Sequence, residues 1–245
     1  MPKADFGCCG EKKKRKPMFD VLKEKRINIV TGHYGSGKTE FAVNYALKLA
    51  GAGAGVSIVD LDIVNPYFRS RELEPLLSKY GIKVISSSVD SPALEVPALS
   101  AEIFSAFRND ASHVVFDMGG DDAGANALAR YHRYLDNKPY EMFFVLNANR
   151  HLTKSAEDAI KYLRSIEEAS KQKVSSIVNN THMCGQTAAD DILKGQRLCE
   201  EVSARTNLPI KYTIINKKLL NKKLCSIINN EVFPIDIYLK KPWEI

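Results

Sequence analysis

At 245 residues and 44% hydrophobic side chains, the chain can bury a sizeable core as one large α/β domain or two small ones. Its formal charge of +6 sits mainly in residues 11–26, which hold eight basic and three acidic residues; the rest is close to neutral, which argues against nucleic acid as a partner. Cys8, Cys9, Cys184, Cys199 and Cys225 form no C-x-x-C pair, no apolar run nears the ~18 residues of a membrane span, and the N-terminal lysines lack a signal-peptide core, so a cytoplasmic setting away from the membrane is expected.

In chain order, residues 1–25 read as a basic, flexible appendage. Within it the vicinal Cys8-Cys9 leave two readings open, idle thiols on a tail or part of a metal site shared between subunits. From Arg26 the pattern becomes regular. Short β-branched or aromatic runs at 27–30, 56–59, 84–85, 114–116, 142–146, 176–178 and 212–215 alternate with helical periodicity at 38–51, 68–80, 97–109, 123–135, 153–170, 187–205 and 217–228. Continuous apolar strands separated by helices predict one doubly wound domain over 26–245. Its sheet is expected to be parallel, with seven strands and helices on both faces. Ligands of such sheets sit at the carboxyl ends of strands, so the residues just after each strand carry the functional information.

After the first strand comes GHYGSGKT, 32–39, which satisfies G-x-x-x-x-G-K-[ST] at every fixed position in a strand–turn–helix context. Glycines let N–H groups converge at the positive end of the following helix, where a triphosphate is held. The nucleotide-binding set here is Gly32, Gly35, Ser36, Gly37, Lys38, Thr39 and Glu40, with Lys38 on the β- and γ-phosphates and the Thr39 hydroxyl on Mg²⁺.

The second strand ends in Asp60-Leu61-Asp62, two carboxylates placed to orient or deprotonate a water and to support a metal ion. The fourth ends in Phe116-Asp117-Met118-Gly119-Gly120, where Asp117 would reach the Mg²⁺ shell and Gly120 would let the backbone approach a γ-phosphate. Asp121 and Asp122 read as a helix N-cap. The sixth strand ends in Asn179-Asn180, where an amide either reads adenine or stabilises a turn. The guanine-selecting pattern N-K-x-D is absent, since Asn216-Lys217-Lys218 precedes Leu219, so adenine is expected.

These four segments, in this order, resemble the MinD/ParA-type P-loop ATPases, a group that includes the nitrogenase iron protein and metallocentre-maturation ATPases. The resemblance covers roughly residues 26–215. It implies a seven- to eight-stranded, mostly parallel sheet, Mg·ATP, slow hydrolysis and a homodimer formed in an ATP-dependent way, serving a protein client that no residue identifies. By position it implies Lys38 and Thr39 at phosphate and metal, Asp62 positioning water with Asp60 in support, Asp117 at Mg²⁺, Gly120 in the switch segment, and Asn179 at the base with Asn180 as the one-residue-shifted alternative. One departure is His33 in place of the second lysine that family members with the deviant loop carry. Arg69 and Arg71 are candidate replacements.

The alternative reading is an ATP-dependent kinase or carboxylate-activating ligase whose small acceptor would lie against 62–71 and 88–97. A nucleotide-binding scaffold without hydrolysis is a third. His182-Met183-Cys184 reads as loop chemistry rather than a metal site. The basic amphipathic run at 217–228 reads as packing on the domain rather than on a membrane.

Overall fold

The computed structural model describes residues 21–62, 70–86, 101–136 and 138–239. Cys8 and Cys9, residues 63–69 including Arg69, the Arg71 side chain and the segment 88–97 lie outside the described residues. Eight strands form one sheet: β1 (Ile27–Thr31), β2 (Gly55–Leu61), β3 (Lys83–Ser86), β4 (Ser112–Met118), β5 (Tyr140–Leu146), β6 (Ser176–Asn179), β7 (Ile210–Asn216) and β8 (Glu231–Ile235). Their order is β3-β2-β4-β1-β5-β6-β7-β8, and every neighbouring pair is parallel.

The helices are α1 (Lys38–Gly51), α2 (Glu74–Lys79), α3 (Ala101–Arg108), α4 (Asp122–Ala129), α5 (His132–Leu135), α6 (Ala156–Ser170), α7 (Ala189–Thr206) and α8 (Lys222–Ile227). Strand alternation divides the core into two layers. Ile29, Phe116 and Phe144 pack with Phe107, Leu128, Leu163 and Val202 on one face, while Val30, Val115 and Phe143 pack with Phe41, Tyr45 and Leu49 of α1 on the other. Burial on both faces is why these strands read as continuous apolar runs.

Three elements differ from expectation. The helix predicted over 123–135 is broken into α4 and α5, because Tyr131 turns inward, 3% exposed, against Phe104 and Phe107. The segment 217–228 gives a short 3₁₀ turn, Lys217–Leu219, and only two turns of α8. The apolar stretch after it contains β8, an edge strand that tolerates Pro234 because its outer side pairs with no other strand of the sheet. The boundary at residue 25 also moves. Glu24 accepts hydrogen bonds from the Tyr45 and Tyr212 hydroxyls at 2.6 and 2.9 Å and pairs with Lys211 at 2.7 Å, so the residues before β1 are fastened to the domain.

Helix α1 is buried from Lys38 through Ala46, as a helix covered by both sheet and chain must be. Past β8 the chain runs along it. Asn44 brackets Asp236, donating to its carbonyl at 2.9 Å and accepting from its N–H at 3.0 Å, and the Glu40 carboxylate accepts from the Tyr238 and Leu239 N–H groups at 2.9 and 3.2 Å. Phe41, fully buried, meets Phe143 and Phe233 edge-on at 5.4 and 5.3 Å. Phe41→Ala should therefore lower unfolding free energy by about 3–5 kcal/mol in a denaturant titration; a loss below about 1 kcal/mol would mean this aromatic layer is not what holds α1 to the sheet.

Candidate functional site

The turn between β1 and α1 lies at the carboxyl edge of the sheet, with β4 and β5 on either side of β1. Gly37 is the N-cap of α1 at φ 81°, in the left-handed region, and no side chain caps the helix. A side chain there would also strike the Asn180 amide. The first N–H groups of α1 are thus left to an external acceptor, the arrangement that binds anions.

Lys38 is 6% exposed, its Nζ 3.5 Å from the His33 carbonyl oxygen. Burial pulls its ammonium below the ordinary lysine value, opposed by the negative charges of Asp117, Asp62 and Asp121. The sheet brings these acids together by register: Asp117 pairs with Val30 on one side and Asp60 on the other. Burial first, then Asp60, pushes the Asp117 carboxyl up to about 8, against the pull of Lys38 and the Thr39 hydroxyl. Both Asp117 oxygens are buried and, among the described residues, make no hydrogen bond of ordinary geometry.

An unpartnered buried carboxylate beside a threonine hydroxyl fits a hard cation completed by phosphate oxygens and water, as Mg²⁺ is usually held. Among the described residues no group of three or more His, Cys, Asp or Glu converges on a metal position, His182 and Cys184 included. Asp60, 3% exposed, accepts the Asp62 N–H at 3.0 Å and so fixes the strand end, while Asp62 is half-buried with its Oδ1 against Gly119.

Gly120 lies directly on the turn. A Cβ there would stand 2.9 Å from both Lys38 Nζ and the Tyr34 nitrogen. Asp121 caps α4 through the Gly124 N–H at 2.9 Å, as its position suggests. Gly32, Gly35 and Ser36 form the turn itself, Ser36 with its hydroxyl buried and unpartnered.

Two of the expected residues, Glu40 and Asn179, direct their side chains away from the turn. Glu40 directs its carboxylate away from the turn to the 238–239 backbone. Asn179 is fully buried, with both ends of its amide committed, accepting from the Thr181 N–H at 3.1 Å and donating to the Ile192 carbonyl at 3.1 Å. Of the two asparagines only Asn180 touches the turn, donating to the Ser36 carbonyl at 2.7 Å. His33 sets its ring edge-on to Tyr162 at 5.1 Å, and burial first, then Lys38 and Arg150, lowers its imidazole below the ordinary value.

The segment after β5 supplies residues that the sequence reading passed over. Asn147, fully buried, and Arg150 both reach the Gly35 carbonyl, at 3.4 and 2.7 Å. The strand-end rule would have found them had it been applied to β5 as to β1, β2, β4 and β6.

Sheet order, strand-end acids and the turn after β1 together define the P-loop NTPase fold. Solved structures agree. The signal recognition particle receptor FtsY from Elizabethkingia anophelis, in complex with GDP, superimposes with a TM-score of 0.55 at 20% identity over 84% of this chain and 63% of that one. FtsY from Thermotoga maritima gives 0.58 at 18% identity over 84% and 67%. At these identities the likeness is one of fold.

No protein-family model matches the chain. Among curated proteins, the cytosolic Fe-S cluster assembly factor cfd1 of Emericella nidulans is 32% identical over 96 residues, 39% of this chain and 27% of that protein. The matched region is about a quarter of the length of that relative.

His182, beside the turn, has its Nε2 buried without a hydrogen-bond partner while its Nδ1 accepts the Cys184 N–H at 3.3 Å. Burial and then Arg150 push its imidazole down to about 4. Between that value and the ordinary value near ~6.5 the unfolded chain binds the additional proton, so stability falls as pH drops through this window. His182→Gln should flatten that part of the stability–pH profile measured by thermal melting; an unchanged slope would show that His182 charges freely in the folded protein.

Proposed function

We propose that the chain is an Mg·ATP-dependent switch ATPase of the MinD/ParA-type group, hydrolysing ATP slowly to control association with itself and with a protein client in metallocentre maturation. The carrying observation is convergence: a buried ammonium, a hydroxyl and an unpartnered carboxylate, from Lys38, Thr39 and Asp117, meet at an uncapped helix N-terminus with Asp62 at the mouth. Lys38 and the first N–H groups of α1 hold the phosphate chain. Thr39 and Asp117 would hold Mg²⁺, with Asp60 in support; the ion, when bound, neutralises charge on the phosphate oxygens. Asp62 orients the attacking water and takes its proton.

The switch follows from how tightly the segment after β4 is packed. Gly120 presses on Lys38, and a Cβ on Gly124 of α4 would stand 2.6 Å from the Gly119 Cα, so phosphate entering beside Lys38 displaces Gly120 and pulls on α4, which packs on α6. Adenine is favoured over guanine by the absence of N-K-x-D; the fold itself is shared with a GDP complex. Metallocentre maturation is favoured by the likeness to an Fe-S cluster assembly factor. No helix among the described residues is long and apolar enough to cross a membrane. Tyr34, Leu152 and Met183, 60%, 55% and 48% exposed on loops after β1, β5 and β6, give the mouth of the site an apolar rim suited to self-association as a homodimer.

Lys38→Ala should weaken ATP binding by about 10- to 100-fold in titration calorimetry, the worth of one charge-assisted contact. An unchanged affinity would remove the phosphate-site assignment. Asp62→Ala should keep ATP affinity, lose hydrolysis by on the order of 10²–10⁴ and accumulate the dimer with ATP but not ADP on a sizing column. A species that stays monomeric in every nucleotide would exclude the association switch.

A further inference from the structure

Where the N–H groups of a turn are aimed inward, the carbonyls of the same planar peptides are aimed outward, and buried ones need donors. Here those donors are side chains. The Gly35 carbonyl accepts from Arg150 Nε at 2.7 Å and Asn147 Nδ2 at 3.4 Å; the Ser36 carbonyl accepts from Asn180 Nδ2 at 2.7 Å; the Gly37 carbonyl receives the same amide at 3.4 Å, besides the Phe41 N–H at 3.0 Å.

The three donors are themselves held. Asn147 accepts the Asn149 N–H at 3.0 Å, and its carbonyl takes the Arg150 N–H at 3.1 Å and the Thr153 hydroxyl at 3.0 Å, which closes the turn that aims Arg150. Asn180, 5% exposed, is tied by its own N–H to the Leu146 carbonyl at 2.8 Å. Thr181 joins the two segments by accepting the Ala148 N–H at 3.0 Å. Among the described residues Arg150 has no carboxylate within ion-pair distance, so its charge acts on the turn.

We infer that Asn147, Arg150 and Asn180 form an outer belt of positioning residues that sets the Gly35–Ser36 and Ser36–Gly37 peptides in their phosphate-binding orientation before any ligand arrives. This rests on the nucleotide-site reading above and deepens it. Asn180 acts on the backbone of the turn, its Nδ2 reaching both the Ser36 and the Gly37 carbonyls. Because the belt acts on the phosphate end alone, its loss reduces affinity for any ligand carrying the phosphate chain, whatever the base.

The test is calorimetric titration of ATP, GTP and inorganic triphosphate, each with Mg²⁺, into the full chain and into Arg150→Ala, Arg150→Lys, Asn180→Ala and Asn180→Asp. Arg150→Ala and Asn180→Ala should weaken all three ligands by a common factor, on the order of 10-fold, with the ATP-to-GTP ratio unchanged. Arg150→Lys, which keeps a cationic donor, should recover most of the loss. Asn180→Asp, of the same shape but with only acceptors facing the Ser36 carbonyl, should bind more weakly than Asn180→Ala.

Unchanged triphosphate affinity in the alanine variants overturns the belt. So does a loss confined to ATP in Asn180→Ala, the signature of a base reader. If the alanine variants do not fold, Asn180→Asp binding triphosphate like wild type overturns it instead. A wild type that binds no triphosphate and is indistinguishable from Lys38→Ala removes the nucleotide-site reading itself, a result separable from failure of the belt.

Discussion

The structure turns on one buried ammonium group. Lys38 sits in the first turn of a helix that is covered on nearly every side, and an ammonium there is tolerated only because Asp117, Asp62 and Asp121 face it. Those acids create a problem of their own. Asp117 lies beside Asp60 across β2 and β4, and burial with like-charge repulsion pushes it toward its neutral form. Such a cluster is better satisfied with a second cation and a polyanion than without them, which is a physical reason for the site to bind magnesium and phosphate as a unit.

The helix carrying Lys38 is anchored at its far side by the C-terminal segment. Glu40, two residues on, is lifted to about 7 by burial and held by two backbone N–H groups, and Asn44 copies a strand partner for Asp236. The start of α1 therefore faces the turn with Lys38 and Thr39 and residues 236–239 with Glu40 and Asn44. Rigidity on that side leaves the segment after β4, built on Gly119 and Gly120, as the part of the site free to respond.

The proposed belt and the strand-end acids come from opposite halves of the sheet. Asp60 and Asp117 lie on β2 and β4 and Asp62 follows β2, Asn147, Arg150 and Asn180 follow β5 and β6, and β1 runs between them. That division follows from the strand order, in which the chain crosses β1 between β4 and β5. The carboxylates thus face Lys38 from one half of the sheet, and the amide and guanidinium donors meet the turn's carbonyls from the other.

The sequence by itself determined what depends on neighbours along the chain. The β1–turn–α1 unit, the alternation of apolar strands and helices, and the acids at the ends of β2 and β4 could all be read because periodicity and a short motif specify them locally. The strand order, the break at Tyr131, the pairing of β8 and the attachment of Glu24 were decided by packing partners far away in sequence. So was the choice between two adjacent asparagines: one residue of register sends the Asn179 amide into the α7 side of the core and sets Asn180 against the turn. Arg150 lies 115 residues from Gly35 along the chain, and only the assembled sheet brings that guanidinium to the carbonyl it holds.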